Sequence, residues 1–269
     1  PAANCGLAGI RPSWGRVSRF GVDGASWSFD TIGPISRTVE DCAITLQAIA
    51  GYDSSDPYTW NVPVPDYRRA LTGDVRGMRV GIVKELMDPE VCGVSNDVRD
   101  SVLAAVKTLE GLGAIVSEVS LPLTTISGVV MRTLTSTERV SLNPDWLRDR
   151  PADFHHNTRV AFMTGSLIPS QTYYKAQKAR ALVRRQVLEA FKEFDVLLQP
   201  TNPSPPGIMD LTQGVKSKEQ AANALKESNF RGLYSLTGNP ALSVCCGFTD
   251  GDQPLPLALQ IAGRPFDEA

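Results

Sequence analysis

A strand–helix–strand unit constrains the fold of this chain more than any other feature of its sequence. Arg79 to Val83 has the pattern of a buried strand, and Ala114 to Val119 alternates apolar and polar residues as a second strand. Between them, Ser95 caps a helix with valine and leucine at helical spacing, and Gly113 ends it. Two strands joined through such a helix belong to one sheet. We therefore predict an α/β fold whose sheet is parallel or mixed.

Two further segments have clear helical patterns. Thr38 caps a helix that runs to Ala50, with acidic residues in its first turn and Gly51 after its end. The longest predicted helix runs from Ser170 to Glu193, and Leu182 is among its inward-facing residues. We interpret the basic residues of this helix as a solvated face rather than a nucleic-acid patch: Lys178, Arg180, Arg184 and Arg185. Weakly patterned helix is predicted for 124–167, and strands are predicted at 195–199, 241–245 and 257–261.

The composition is that of an ordinary globular protein, and we expect a single domain over residues 1–269. Hydrophobic residues make up 42% of the chain and charged residues 21%. A net charge of −2 gives no reason to expect a nucleic-acid partner. No apolar run approaches the roughly 20 residues that span a bilayer, so no membrane association is expected.

The residue types that most often carry catalysis form no recognisable constellation. The five cysteines are odd in number and lack metal-site spacing, so we expect reduced thiols, mostly packed in the core, in a cytoplasmic protein. Cys245 and Cys246 end an apolar strand and are expected to be core rather than nucleophilic. His155 and His156 lie on a polar stretch and are expected to be solvated or structural. No metal or phosphate-loop motif is present.

The beginning of the chain is dense in glycine and proline, which occupy five of its first fifteen positions. Such residues suit a backbone packed inside a built site better than a fraying end. In chain order, this block and five others are Pro-Ala-Ala-Asn-Cys-Gly-Leu-Ala-Gly (1–9), Phe-Asp-Thr-Ile-Gly-Pro-Ile-Ser-Arg-Thr-Val-Glu-Asp (29–41), Tyr-Tyr-Lys-Ala-Gln-Lys-Ala-Arg (173–180), Asp-Val-Leu-Leu-Gln-Pro-Thr (195–201), Leu-Thr-Gly-Asn-Pro-Ala-Leu-Ser-Val (236–244) and Leu-Ala-Leu-Gln-Ile-Ala-Gly (257–263). In this order the blocks resemble the amidase signature family of amide hydrolases.

The resemblance implies a mixed β-sheet flanked by helices and a catalytic apparatus without histidine, metal or cofactor. In this family a lysine acts through a serine held in a cis peptide on a nucleophilic serine, which forms an acyl-enzyme. All three groups map upstream of Pro1, so no catalytic residue is assigned to this chain. The resemblance also implies that the chain is the C-terminal portion of an amidase signature domain, incomplete at both ends.

The same resemblance places candidate substrate-binding residues in this portion. Gln199, Pro200 and Thr201 end a buried strand, and open α/β sheets bind ligands at strand ends. Arg159 is a candidate contact for a carboxylate or amide, with a surface salt bridge as the alternative. Asn229 falls near an acidic residue that holds the substrate ammonium in the A subunit of glutamine-dependent tRNA amidotransferases. Asparagine at that place favours a general amidase.

We therefore expect hydrolysis of a carboxamide to a carboxylate and ammonia. The expected partners are a small-molecule amide and the N-terminal part of the same enzyme, and a homodimer is left open. One alternative is the A subunit of a tRNA-dependent amidotransferase. The other is a non-catalytic fragment or pseudoenzyme with a structural or binding role.

Overall fold

The computed structural model of the chain describes residues 1–142, 144–207 and 217–269. In chain order, its strands are β1 (Ala8–Arg11), β2 (Ile35–Ser36), β3 (Arg79–Val83), β4 (Ile115–Val119), β5 (Val196–Pro200), β6 (Ala241–Phe248) and β7 (Pro256–Ala262). They form one seven-stranded sheet in the order β2-β1-β6-β7-β5-β3-β4. Strand β3 is parallel to β4 and β5, and the other neighbouring pairs are antiparallel. The predicted mixed sheet is confirmed.

Helices cover both faces of this sheet. In chain order, they are α1 (Val39–Ile49), α2 (Tyr67–Ala70), α3 (Pro89–Cys92), α4 (Asn96–Gly111), α5 (Ser127–Leu142), α6 (Pro144–Asp149), α7 (His156–Ser166), α8 (Ser170–Ala190) and α9 (Lys218–Thr237). Short 3₁₀ turns lie at Ala2–Cys5, Lys84–Leu86, Pro122–Ile126 and Pro151–Asp153. Among the residues that the structure describes, no helix is long and apolar enough to cross a membrane.

The predicted strand–helix–strand unit is present as β3, α4 and β4. Val80 of β3 lies opposite Val116 of β4 in a parallel register. The hydroxyl of Ser95 accepts a hydrogen bond from the Val98 N–H at 3.4 Å, so Ser95 caps α4 as expected. The chain leaves α4 through Gly113, whose backbone φ of 96° is a value that residues other than glycine rarely adopt.

Alternating side chains of the central strands divide the core into two layers. Leu198 of β5 packs with Val102 and Val106 of α4 on one face. Leu197 packs on the opposite face, in the larger cluster formed with α5, α8 and α9, where Phe230 is fully buried. This alternation carries over to Gln199, which lies on the same face as Leu197 and therefore towards α9.

Helix α8 differs from the expected helix with a solvated basic face. It ends at Ala190 rather than Glu193, and Leu182 is 46% exposed rather than inward. The guanidinium of Arg180 donates to the Leu236 carbonyl at 2.7 Å, and that of Arg184 donates to the Thr237 carbonyl at 3.0 Å. The last carbonyls of α9 have no partner within their own helix, so these cations complete its C-terminal end. The solvated interpretation holds for Lys178, Arg184 and Arg185, which are exposed, and is wrong for Arg180, which is half-buried.

The predictions for cysteine and histidine are confirmed only in part. All five cysteines are free thiols; Cys42 and Cys92 are buried and Cys246 packs against the core layer of α4, so most are core as expected, whereas Cys5 is exposed. Cys245 and Cys246 are half-buried because β6 continues past them to Phe248 through a register shift. The histidines are exposed as expected, and His155 Nδ1 accepts from the Asn157 N–H at the start of α7.

Candidate functional site

A row of polar side chains crosses the sheet face that α9 covers. Gln199 of β5 lies opposite Gln260 of β7, and Gln260 lies opposite Ser243 of β6. Gln199 is fully buried, and its Nε2 donates to the Phe230 carbonyl at 3.1 Å and to Gln260 Oε1 at 3.2 Å. Its Oε1 has no partner among the described residues. A buried amide oxygen without a donor costs free energy, so this row is polar for a reason other than stability.

The end of β5 extends this polar row. Thr201, the residue after β5, is buried, and its Oγ1 lies 3.0 Å from Ser243 Oγ, where either hydroxyl can donate. The Thr201 N–H donates to the Ala258 carbonyl at 2.9 Å, which fixes the direction of the threonine side chain. Pro200, which has no N–H, occupies the last position of the strand. The structure therefore brings the predicted residues Gln199, Pro200 and Thr201 to one place beside Ser243 and Gln260.

The 3₁₀ turn at Ala2–Cys5 lies against this part of the sheet, and glycine is what allows the approach. A Cβ on Gly9 of β1, which lies opposite Ser243, would come within 2.6 Å of the Ala2 Cβ. The turn is also tied to the segment after β5, because Asn202 Nδ2 donates to Asn4 Oδ1 at 2.7 Å. The glycine- and proline-rich beginning of the chain is therefore part of a built site, as its composition indicates.

Between the turn and the strands lies a cavity of about 310 Å³. It is lined by Pro1, Ala2, Ala3, Asn4, Gly9, Ile10, Arg11, Thr31, Gly33, Ile35, Thr201, Asn202, Arg231, Ala241, Ser243 and Gln260. Its uncharged polar groups are hydroxyls and primary amides, which both donate and accept hydrogen bonds. A larger groove of about 480 Å³ runs along α8 and shares no lining residue with this cavity.

The charged side chains that line the cavity are both arginines. Arg231 of α9 is about half-exposed, and its nearest carboxylate is that of Glu227 at 2.5 Å, one turn earlier. Arg11 of β1 donates to the Phe29 carbonyl at 2.8 Å, but its buried Nε has no partner among the described residues. Burial, and after it the neighbouring charge of Arg180, lower the pKa of Arg11 to about 10, while the charge of Asp30 opposes the shift. The electrostatic character of the cavity is therefore cationic.

Of the five predicted site residues, only Thr201 lines the cavity; Gln199 and Pro200 precede it in β5, and the other two lie on helices outside the lining. Asn229 of α9 is buried against α5, where its Oδ1 accepts from the Gly128 N–H at 2.7 Å and its Nδ2 donates to the Thr125 carbonyl at 3.1 Å. Arg159 lies on α7, and its Nη1 donates to the Pro151 carbonyl at 3.4 Å. In the structure, then, Asn229 joins two helices and Arg159 stabilises the turn before its own helix.

The cavity lining contains binding groups but no proton-transfer base. None of the described residues that line it is a lysine or histidine. Elsewhere in the described chain, no group of three His, Cys, Asp or Glu side chains is placed to hold a metal ion. The arrangement can therefore hold and orient a polar ligand, while the chemistry needs further groups.

Sequence reasoning missed seven of the eight polar residues that line this cavity: Asn4, Arg11, Thr31, Asn202, Arg231, Ser243 and Gln260. Gln260 interrupts an apolar strand, which is a signal that could have identified it. Arg231 has no comparable signal, because one exposed arginine on a helix resembles any other. Only the packing of α9 over the sheet brings it to the cavity.

Comparison with known proteins relates the whole chain to one family. The family model described as Amidase matches residues 1–269. The chain is 39% identical over 296 residues to the A subunit of glutamyl-tRNA(Gln) amidotransferase from Brevibacillus brevis, covering 100% of this chain and 58% of that protein. The chain thus spans 58% of the length of this curated relative.

Solved structures share the fold over the full length of this chain. The A subunit of glutamyl-tRNA(Gln) amidotransferase from Thermotoga maritima superimposes with a TM-score of 0.79 at 30% identity, covering 100% of this chain and 56% of that one. A chain from a vestigial protein complex, described as revealing the evolutionary origins of an s-triazine catabolic enzyme, gives a TM-score of 0.85 at 27% identity, covering 100% and 57%. The arrangement of sheet and helices is therefore one that experimentally determined structures contain.

Proposed function

This chain belongs to the amidase family, and on that premise we propose that the protein hydrolyses a carboxamide to a carboxylate and ammonia. The single observation that carries the proposal is the polar cavity beside the Ala2–Cys5 turn. Its hydroxyl and amide groups complement a carboxamide, which presents one carbonyl acceptor and N–H donors within a few ångströms. A reaction in the cytoplasm is part of the proposal, supported by five free thiols.

We propose a division of labour between this chain and the sequence that precedes its first residue in longer relatives. Thr201, with Ser243 at 3.0 Å, hydrogen-bonds the substrate amide, and buried Gln199 holds the adjoining strand in register. The nucleophilic serine, the serine in a cis peptide and the lysine come from the preceding sequence, and they form and hydrolyse an acyl-enzyme. The 58% coverage of a curated relative supports this division. Substrate binding by Asn229 and by Arg159 stays a prediction.

The first experiment measures ammonia release from a panel of aliphatic, aromatic and amino-acid carboxamides by the whole protein. A fluorophosphonate probe followed by intact-mass measurement tests for the nucleophilic serine. We expect ammonia from at least one amide and a single adduct on the protein. No ammonia and no adduct would favour the non-catalytic alternative.

A pair of threonine variants tests the cavity itself. Thr201→Val keeps the shape of the side chain and removes its hydroxyl, and we expect kcat/KM to fall about tenfold, the effect of one hydrogen bond. The control is Thr108→Val on the exposed side of α4, where the hydroxyl bonds only its own helix. Equal activity of both variants would show that the amide binds elsewhere.

A second candidate function is that of an amidotransferase A subunit. It is favoured by the 39% identity to a protein of that name over the full length of this chain. Under this candidate, glutamine is the amide and the released ammonia passes to a partner protein. The sequence argument against it, asparagine at position 229, is weakened by the structure, because this side chain bonds Gly128 of α5 and Thr125 of the 3₁₀ turn before α5.

The two candidates differ in what controls the reaction. A stand-alone amidase releases ammonia from its substrate at full rate by itself. An amidotransferase component releases ammonia from glutamine slowly until glutamyl-tRNA(Gln) and its partner protein have been added. Stimulation of glutamine hydrolysis by these additions would establish the second candidate over the first.

A further inference from the structure

The position of Arg231 points beyond amide hydrolysis to the class of amide. Arg231 lines the cavity together with Asn202 and with Thr201, the residue proposed to hydrogen-bond the substrate amide. No carboxylate is among the described residues that line the same cavity, and the second charged group there is Arg11. A concave site with cationic side chains and no acidic ones concentrates anions.

Arg231 is held loosely enough to be available to a ligand. Its only ion pair in the described structure is with Glu227, one turn away on the same helix, and the two side chains are 51% and 44% exposed. Exposed pairs of this type contribute little, because solvent screens both charges. A carboxylate that also displaces water from the cavity competes successfully with such a partner, since guanidinium and carboxylate form two parallel hydrogen bonds.

Arg11, the second arginine of the cavity lining, also favours an anionic ligand. Its guanidinium is buried near the cation Arg180, which repels it, and Asp30 offsets part of that repulsion. An anion in the cavity relieves this repulsion without contacting the buried Nε. The two arginines therefore act on a ligand at different ranges, Arg231 by contact and Arg11 through its field.

From these observations we propose that Arg231 is a specificity-determining residue that selects carboxamides carrying a second, carboxylate group. The inference rests on the proposed amide hydrolysis and names the substrate class of that same site. The amide lies at the Thr201 and Ser243 hydroxyls, and the carboxylate lies at the guanidinium of Arg231. Neutral amides of the same length bind without this contact and are poorer substrates.

The test compares succinamate with butyramide, which have the same chain length and differ in the carboxylate. The whole protein and its Arg231→Met variant are assayed for ammonia release from both. We expect wild-type kcat/KM to be at least tenfold higher for succinamate. The substitution should remove that preference mainly through KM and change butyramide hydrolysis by less than threefold. Equal use of the two amides, or an equal loss on both in the variant, would overturn the inference.

Two further variants separate recognition from structure. Glu227→Gln removes the competing carboxylate, so KM for succinamate should fall severalfold, an effect that a purely structural Arg231 does not produce. Arg99→Met, on α4 at the opposite face of the sheet, is the matched control and should behave as wild type. An unchanged KM in Glu227→Gln would count against direct contact.

Calorimetric titration with succinate measures anion binding directly and so tests the inference without the hydrolysis reaction. If neither amide yields ammonia, the proposed function fails, and binding alone then decides about Arg231. Succinate binding that is lost in Arg231→Met and kept in Arg99→Met supports an anion-selective site. Failure of the wild-type protein to bind succinate, or equal binding by all variants, overturns it.

Discussion

Asp195 is a single residue at which three parts of the chain meet. Its carboxylate accepts hydrogen bonds from the Arg79 N–H at 2.9 Å and from Arg79 Nη2 at 2.6 Å. A third bond, of 3.1 Å, comes from Arg264 Nη2. These charge-assisted bonds, those from Arg79 above all, hold the pKa of Asp195 well below its usual range. The residue thus ties the starts of β3 and β5 to the segment after β7.

The Asp195→Asn substitution should destabilise the protein in a pH-dependent way. A carboxyl whose pKa is depressed by folding stabilises the protein above its unfolded pKa of about 4, and that contribution is lost as the pH falls through the lower folded pKa. Because the side chain is 34% exposed, we expect a loss of up to about 1 kcal/mol in the free energy of unfolding at pH 7. Urea unfolding at pH 7 and pH 3 measures whether the difference from wild type shrinks at low pH. A difference that grows on acidification would contradict this account.

Among the secondary-structure elements, the packing of the Ala2–Cys5 turn against β1 depends on Gly9, which sets how closely the two approach. In Gly9→Ala, the new Cβ would lie 2.6 Å from that of Ala2, so the turn must move. We expect a loss of about 1–3 kcal/mol in the free energy of unfolding, the usual cost of overpacking, and reduced amide hydrolysis. Gly111→Ala at the end of α4 is the control, since nothing lies within 4 Å of its added Cβ. Denaturant unfolding and ammonia release would be measured on both, and a silent Gly9→Ala would show that the turn does not shape the site.

The sequence predicts elements well where the signal is local. Thr38 and Ser95 cap α1 and α4 as expected, because a capping side chain bonds its own helix. The pattern of α8 wrongly assigns Arg180 to a solvated face, because its partner, the Leu236 carbonyl, is near only after α8 packs beside α9. The same difference between local signals and long-range packing applies to the residues of the site. A strand end predicts Thr201, whereas its contact with Ser243 depends on the register of β5, β6 and β7, which no short pattern encodes.

At the scale of the whole molecule, a buried ion pair joins the two ends of the described chain. Arg16 Nε lies 3.2 Å from Glu268 Oε2, and the side chains are 1% and 0% exposed. The other Glu268 oxygen accepts from the Ser13 N–H at 2.8 Å, and the guanidinium donates to the carbonyls of Pro63 and Phe266 at 2.9 and 3.1 Å. Each guanidinium nitrogen and both carboxylate oxygens therefore have a partner, which is the condition under which a buried ion pair is tolerated.

Removing one member of this pair should be far more harmful than removing a pair at the surface. Arg16→Met leaves the Glu268 carboxylate buried without its counter-charge, and such changes cost about 3–5 kcal/mol in the free energy of unfolding. Burial, and after it the charge of Glu268, raise the pKa of Tyr67 to about 12, while the charge of Arg16 opposes this shift.

The control for that prediction is Arg68→Met, which removes an ion pair with Glu40 whose side chains are 67% and 55% exposed. Solvent screens this pair, so the change should cost at most about 1 kcal/mol. The double variant Arg16→Met, Glu268→Leu should recover part of the loss of Arg16→Met, because it no longer buries an unpaired charge. Denaturant unfolding of the four proteins measures these differences. Equal losses from the buried and the exposed pair would mean that the ends of the chain are held together by apolar packing instead.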